Sequence, residues 1–231
     1  MPDGGERTVA DAWLPGAGRM PAKLDGGPLK GGAPRAVWFT SENDPRVVST
    51  RSVAQDLIRE KRPAHLVWNP FDGEILQLVA VTLAARLLPG DLGREGRVCV
   101  QIMVVGQHRE PFTNSPLKGL SELMSWLDSW GVARRWPAGP PLQVPQSYQA
   151  ARERRPWARG GHFGCSQVPE GTGPDPGGID IRKITGPETP LTEIPRPRFP
   201  PGQAMVPPPR RLPRPLEPAS GPVPEPVNIR S

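Results

Sequence analysis

Apolar residues fall in short runs divided by Gly- and Pro-rich stretches, and the spacing within each run selects its element. Ala36-Val37-Trp38-Phe39-Thr40 is a β-prone run without polar alternation and predicts a buried strand. In Asn43-Asp44-Pro45 a capping carboxylate precedes a proline, which marks a helix start. Val47, Val53, Ala54, Leu57 and Ile58 then recur at helical spacing, and Lys61-Arg62-Pro63 ends the helix with cations at its negative end. His65 to Asn69 reads as a second strand and Glu74 to Leu78 as a third, joined around Asp72-Gly73 in a hairpin with a longer loop than the two-residue type. From Arg97 to Val105 the pattern alternates: Val98, Val100, Ile102 and Val104 share one face, and Cys99, Gln101, Met103 and Val105 the other. Ser115-Pro116 repeats the cap-plus-proline signal. Leu117, Leu120, Leu123, Met124 and Leu127 form an apolar stripe behind it, Trp126 and Trp130 read as core beside the stripe, and Gly131 suits a helix C-cap. Residues 137–160 carry no strong element, and 160–184 read as a Gly-rich loop.

The order strand, helix, hairpin, strand, helix predicts an α/β fold class, a mixed central β-sheet flanked by helices, over residues 34–184. Residues 1–33 read as a mostly loose, flexible arm with Ala10 to Leu14 docking. Residues 185–231 read as a Pro/Arg-rich disordered tail; 15 of the 34 prolines lie there. A solvated spacer is the simpler reading of that tail. A protein partner that reads polyproline is the alternative, through Pro195-Arg196-Pro197 or Pro207-Pro208-Pro209-Arg210-Arg211.

Composition narrows the function classes. No apolar run approaches the ~20 residues of a transmembrane segment, and the Gly-rich start does not read as a signal peptide. The two cysteines cannot build a disulfide framework. The net charge of +6 permits an acidic partner. Arginine is spread along the chain, however, and a single Tyr is available for stacking, so nucleic acid is not expected as a partner.

Candidate chemistry concentrates in Gly161-His162-Phe163-Gly164-Cys165-Ser166-Gln167-Val168-Pro169, which runs on to Asp175-Pro176-Gly177. His162, Cys165 and Asp175 are three metal-capable side chains. As a bare pattern this is weak. A lone His or Cys in such a segment is more often structural, and a free, buried Cys165 is the simpler reading.

Four blocks together resemble a known family, the zinc N-acetylmuramoyl-L-alanine amidases, which include peptidoglycan-recognition proteins and phage amidase-type lysozymes. They are Ala36-Val37-Trp38-Phe39-Thr40-Ser41-Glu42; Ala64-His65-Leu66-Val67-Trp68 with Asp72-Gly73-Glu74-Ile75 and Gln77; Val100-Gln101-Ile102-Met103-Val104-Val105-Gly106; and Gly164-Cys165-Ser166-Gln167-Val168-Pro169 to Asp175-Pro176-Gly177. The resemblance spans roughly residues 36–184. It implies a zinc held by two His and one Asp or Cys with an open position for water, which the metal activates. It also implies a Glu or Tyr that assists that water, and a Lys or His that stabilises the oxyanion. The bond cleaved joins the muramyl lactyl group to L-alanine.

Most of these roles meet a substitution here. The first His ligand falls on Phe39 and the second on Cys165; the third ligand falls on Asp175 and is retained. The Glu falls on Met103 and the Lys or His on Gly173. Phe39 and Met103 replace polar groups by apolar volume, which relieves the cost of unpaired buried polarity. The expectation is therefore a catalytically impaired amidase-like protein without a cofactor. It would bind peptidoglycan or a muropeptide in a groove formed by Trp38, Phe39, Thr40, His65 and Met103. One alternative is an active amidase with a remodelled zinc site at His162, Cys165 and Asp175. The other is a scaffold that recruits a partner through its tail. Cytoplasmic residence and release to the cell wall without a signal peptide are both compatible with the sequence.

Overall fold

The computed structural model describes residues 10–150, 152–170 and 176–187. They belong to one compact unit, Met1–Thr189, while a second unit, Pro190–Ser231, lies outside them and carries most of the tail. The architecture is α/β: a mixed six-stranded sheet with helices packed against it. Its strands are β1 (Gly18–Arg19), β2 (Arg35–Thr40), β3 (Leu66–Trp68), β4 (Ile75–Gln77), β5 (Cys99–Val104) and β6 (Gly161–Gly164), in the spatial order β1-β4-β3-β5-β2-β6. β3 and β4 form the antiparallel hairpin, and every other neighbouring pair is parallel.

β2 lies between β5 and β6 with both faces covered and all six residues buried. That is why its sequence is a continuous apolar run, as a parallel strand covered on both faces requires. β5 is also wholly buried, and its alternation sorts as the pattern predicts. Val98, Val100, Ile102 and Val104 enter one core cluster; Cys99, Met103 and Val105 enter the other.

Two helices enclose these cores. α1 (Thr50–Arg59) packs Val53, Ala54 and Leu57 with Val37, Phe39 and Val67. α2 (Leu120–Ser129) packs Leu120, Leu123, Met124 and Leu127 with Trp38, Trp68 and Ile102. Both begin later than the cap-plus-proline signals predict. Ser49 is the N-cap of α1, and its hydroxyl accepts the Ser52 N–H at 3.1 Å. Asp44 instead closes a turn, with its carboxylate accepting the Arg46 N–H at 2.9 Å. Ser115 donates its hydroxyl to the Phe112 carbonyl at 2.6 Å, and α2 starts after Gly119. In both cases the polar side chain finds a nearer partner in a local turn. At the end of α2, Gly131 adopts φ +75° and its N–H reaches the Asp128 carbonyl, as a helix C-cap glycine does.

Three further segments depart from the sequence reading. The stretch 10–33, expected as a mostly loose arm with Ala10 to Leu14 docking, docks there and also runs on along the sheet edge. β1 pairs with β4, Leu14 is buried, its N–H donates to Gln77 Oε1 at 2.6 Å, and Gln77 Nε2 donates to the Ala12 carbonyl at 2.9 Å. The buried Gln77 and backbone pairs to Leu78, Ala84 and Arg94 hold it, and hydrophobic periodicity does not register such pairing. The Gly-rich segment after 160 contains β6, an edge strand paired with β2. Its opposite edge is closed where His162 N–H donates to the Arg135 carbonyl at 2.8 Å. Residues 137–160, expected to be irregular, include the short helix α3 (Arg154–Arg159); α4 (Ile181–Thr185) follows β6. Among the described residues no helix is long and apolar enough to cross a membrane.

Candidate functional site

In an open parallel sheet, ligand clefts form beyond the carboxyl ends of the strands, where loops diverge to either side. Such a cleft, of about 410 Å³, opens here beside the ends of β2 and β5 and the residue after β6. Phe39 and Met103 are register partners across β2 and β5, and both line it; so does Cys165. These three are 6 %, 8 % and 3 % exposed, so the floor is apolar and nearly dry. Val53, Asp56 and Leu57 of α1 line it as well, as do Leu87 to Pro89.

The rim is polar. Thr40, Glu42, Asn43, Glu60 and Arg62 contribute to it. The Asp56 carboxylate is held by Arg59 at 2.6 Å. Glu42 has the left-handed φ of +60°, which costs a residue other than glycine about 1 kcal/mol. Its carboxylate is tied at both oxygens: Thr40 Oγ1 donates to Oε1 at 2.7 Å, His108 N–H donates to Oε1 at 3.2 Å, and His108 Nδ1 is hydrogen-bonded to Oε2.

The residues predicted for the site separate into two groups. Phe39, Thr40, Met103 and Cys165 meet at the cleft. Trp38, His65 and His162 do not line it. Trp38 neighbours Phe39 in an extended strand, so its side chain projects to the opposite face. There it stacks at 5.9 Å on both Phe112 and His162 and meets Trp68 edge-on at 6.2 Å. His65 is fully buried between two backbone partners: Nε2 contacts the Leu83 carbonyl at 2.8 Å and Nδ1 accepts the Gln101 N–H at 3.0 Å. Burial lowers its pKa from 6.5 to about 4, against an opposing effect of the Leu83 hydrogen bond.

His162 is packed on the face of the sheet opposite the cleft. Its ring lies 5.9 Å from that of Trp38 and 5.7 Å from that of Trp136, and Trp38 Nε1–H donates to its Nδ1 at 3.1 Å. Burial, with a smaller contribution from Arg134, pushes its pKa down to about 3. Cys165 belongs to the core cluster on the cleft side. Cys165, in the turn after β6, lines the cleft and His162 lies on the opposite face of the sheet, so the described geometry does not bring the two together. Asp175 and Gly173 lie outside the described residues. Among the described residues no three metal-capable side chains come together. Phe39 has no donor atom and Met103 no carboxylate. The described donor set does not fit zinc, and no catalytic step through zinc follows from it.

The sequence reading missed Glu42 and Arg62 as rim residues, and His108 as the partner that holds Glu42. For Glu42 and His108 the signal was position, in the loops that leave the carboxyl ends of the central strands β2 and β5.

No family model matches the sequence, and no curated protein matches it. Among solved structures, the PGRP-Hd from Alvinella pompejana is similar at 12 % identity, over 47 % of this chain and 75 % of that one, with a TM-score of 0.33. Neither function nor site follows from a superposition of that quality.

Proposed function

We propose that this domain is a non-hydrolytic, amidase-like binding module whose cleft takes a cell-wall stem peptide, a muropeptide. One observation carries the reading. Three positions on separate segments, marked by the sequence resemblance as ligand, base and ligand, line one cleft at the strand ends: Phe39, Met103 and Cys165. A cleft of about 410 Å³ lies within the ordinary range for a small ligand. Its apolar floor suits alanyl methyl groups, and its polar rim suits amides and charges. Refilling with Phe39 and Met103 removes the groups that would activate water and leaves shape and rim available for recognition.

The test pairs two measurements on the full chain: zinc content per chain after incubation with excess metal, and binding of purified soluble muropeptides by calorimetry. The expected outcome is near-zero zinc, saturable binding, and no release of stem peptide from the glycan. Binding should weaken when Phe39→Trp fills the floor. One zinc per chain together with stem-peptide release would replace this reading by that of an active amidase. Absence of any muropeptide binding would discard the cell-wall ligand.

A further inference from the structure

Behind the rim, the chain leaving β5 turns through residues 106–110 and presents His108 with its side chain 18 % exposed. Glu42 fixes that ring. One carboxylate oxygen holds Nδ1 and the other holds the His108 backbone N–H and the Thr40 hydroxyl. This leaves Nε2 as the remaining polar atom of the ring, and among the described residues nothing hydrogen-bonds it. His108, Arg109 and Gln143 line a second hollow of about 460 Å³. Pro111, Val144 and Pro145 form its apolar wall, and Gly178 its base.

The two glycines explain how the segments come so close. Gly177 has φ +78°, and a Cβ there would fall 2.0 Å from the His108 carbonyl oxygen, so only glycine lets the chain pass over His108. A Cβ on Gly178 would lie 2.7 Å from Gln143 Nε2, so the missing side chain gives the Gln143 amide its place. Arg109 makes no ion pair or side-chain hydrogen bond among the described residues. The lining therefore offers a guanidinium fork and an amide NH2. No carboxylate is among the described lining residues. A fork beside a further amide donor matches a flat anion with two oxygens.

We propose that this hollow is a binding site for a carboxylate of a peptide or acyl-amino-acid ligand. It goes beyond the reading of the main cleft and holds whatever that cleft takes.

N-acetylglycine, titrated into the full chain at constant ionic strength, is the probe. The readouts are the His108 ring and Arg109 side-chain signals by nuclear magnetic resonance. The expected result is a saturating shift with a dissociation constant on the order of 1 mM, which suits one small anion. Arg109→Ala should weaken it about tenfold, because the bidentate contact is lost. Gln143→Ala should weaken it by a smaller factor, and Arg46→Ala, a basic residue on another loop, should leave it unchanged. Both lining substitutions fall at exposed positions, so the fold is expected to persist. A shift that grows linearly without saturating overturns the proposal. So does an equal response to chloride, or undiminished binding in Arg109→Ala.

Discussion

Trp38 and Phe39 are consecutive residues of one strand, yet they belong to different kinds of protein interior. On the Trp38 side the sheet is sealed. Trp38, Trp68, Phe112 and His162 stack ring to ring beneath α2, and Trp68 Nε1 finds the Lys118 carbonyl at 2.8 Å. On the Phe39 side the packing under α1 stops short at the strand ends, and Phe39, Met103 and Cys165 become the floor of a cleft. The same backbone supplies both faces, because extended residues alternate. Both faces carry a buried core cluster, but the Phe39 side opens at its end. The open face is where a side chain can change with less loss of packing, because one side of it is already free.

The largest expected difference lies in truncation. Trp38→Ala should cost about 3–5 kcal/mol, since it empties a fully enclosed aromatic stack and removes the hydrogen bond to His162. Met103→Ala should cost about 2 kcal/mol, the low end for a buried methionine, because one side of the vacated space is already open. Urea denaturation of both variants measures this. Equal losses would mean that the two faces are packed alike and that the cleft is not a separate region.

Acid should attack the buried histidines next. His65 and His162 have pKa values lowered from 6.5 to about 4 and about 3, in both cases chiefly by burial. The folded core keeps each ring neutral, while the unfolded chain takes up the proton near the ordinary histidine value. The stability they contribute is therefore complete above pH 6.5 and is lost progressively as pH falls toward 4. The expected slope is about 1.4 kcal/mol per pH unit for each histidine over that interval. His162→Gln keeps an acceptor for Trp38 and removes one of the two titrations. Denaturation midpoints at pH 7, 6 and 5 should then fall less steeply in the variant. Parallel curves for variant and parent would place that pH dependence elsewhere.

A carboxylate on the cleft floor should cost less than the loss of the stack. Met103→Glu puts a charge where 8 % of the residue is exposed, against Phe39 and α1. The expected loss is about 1–3 kcal/mol at pH 7, recovered in part at low pH, where the group protonates. No loss at all would indicate a floor already wet, and with it a site still able to hold polar machinery.

The closed face was largely legible in the sequence, because periodicity reports burial. The alternation of Val98, Val100, Ile102 and Val104, and the stripe Leu120, Leu123, Met124 and Leu127, both enter the predicted core. Elements held by backbone pairing were not legible. β1 and β6 are glycine-bearing edge strands whose partners, β4 and β2, lie far away in the chain, and propensity says nothing of distant partners. The cleft was legible in part. Phe39 and Met103 came from the resemblance and Trp38 from the same block, but the pleat sends Trp38 to the opposite face. His65 resembled a groove residue in type, and its two backbone partners make it a core residue instead. Glu42 and His108 meet only after the loops fold, and no local spacing encodes that.

The smallest effect sharpens the comparison at the rim, where Glu42 joins the two strand ends. Its carboxylate has three hydrogen-bonding partners, while its backbone sits at φ +60°. These contributions oppose each other, and two substitutions separate them. Glu42→Ala loses the contacts and keeps the unfavourable backbone. Glu42→Gly loses the same contacts and relieves it. The glycine variant should therefore be the more stable of the two by about 1 kcal/mol, reversing the usual order in which alanine outranks glycine. Thermal melts of the pair measure that difference directly. If alanine proves equal or better, the left-handed turn relaxes without the carboxylate. Glu42 would then be an adaptable side chain at the mouth of the cleft, and the tether between β2 and His108 would not be part of what shapes the site.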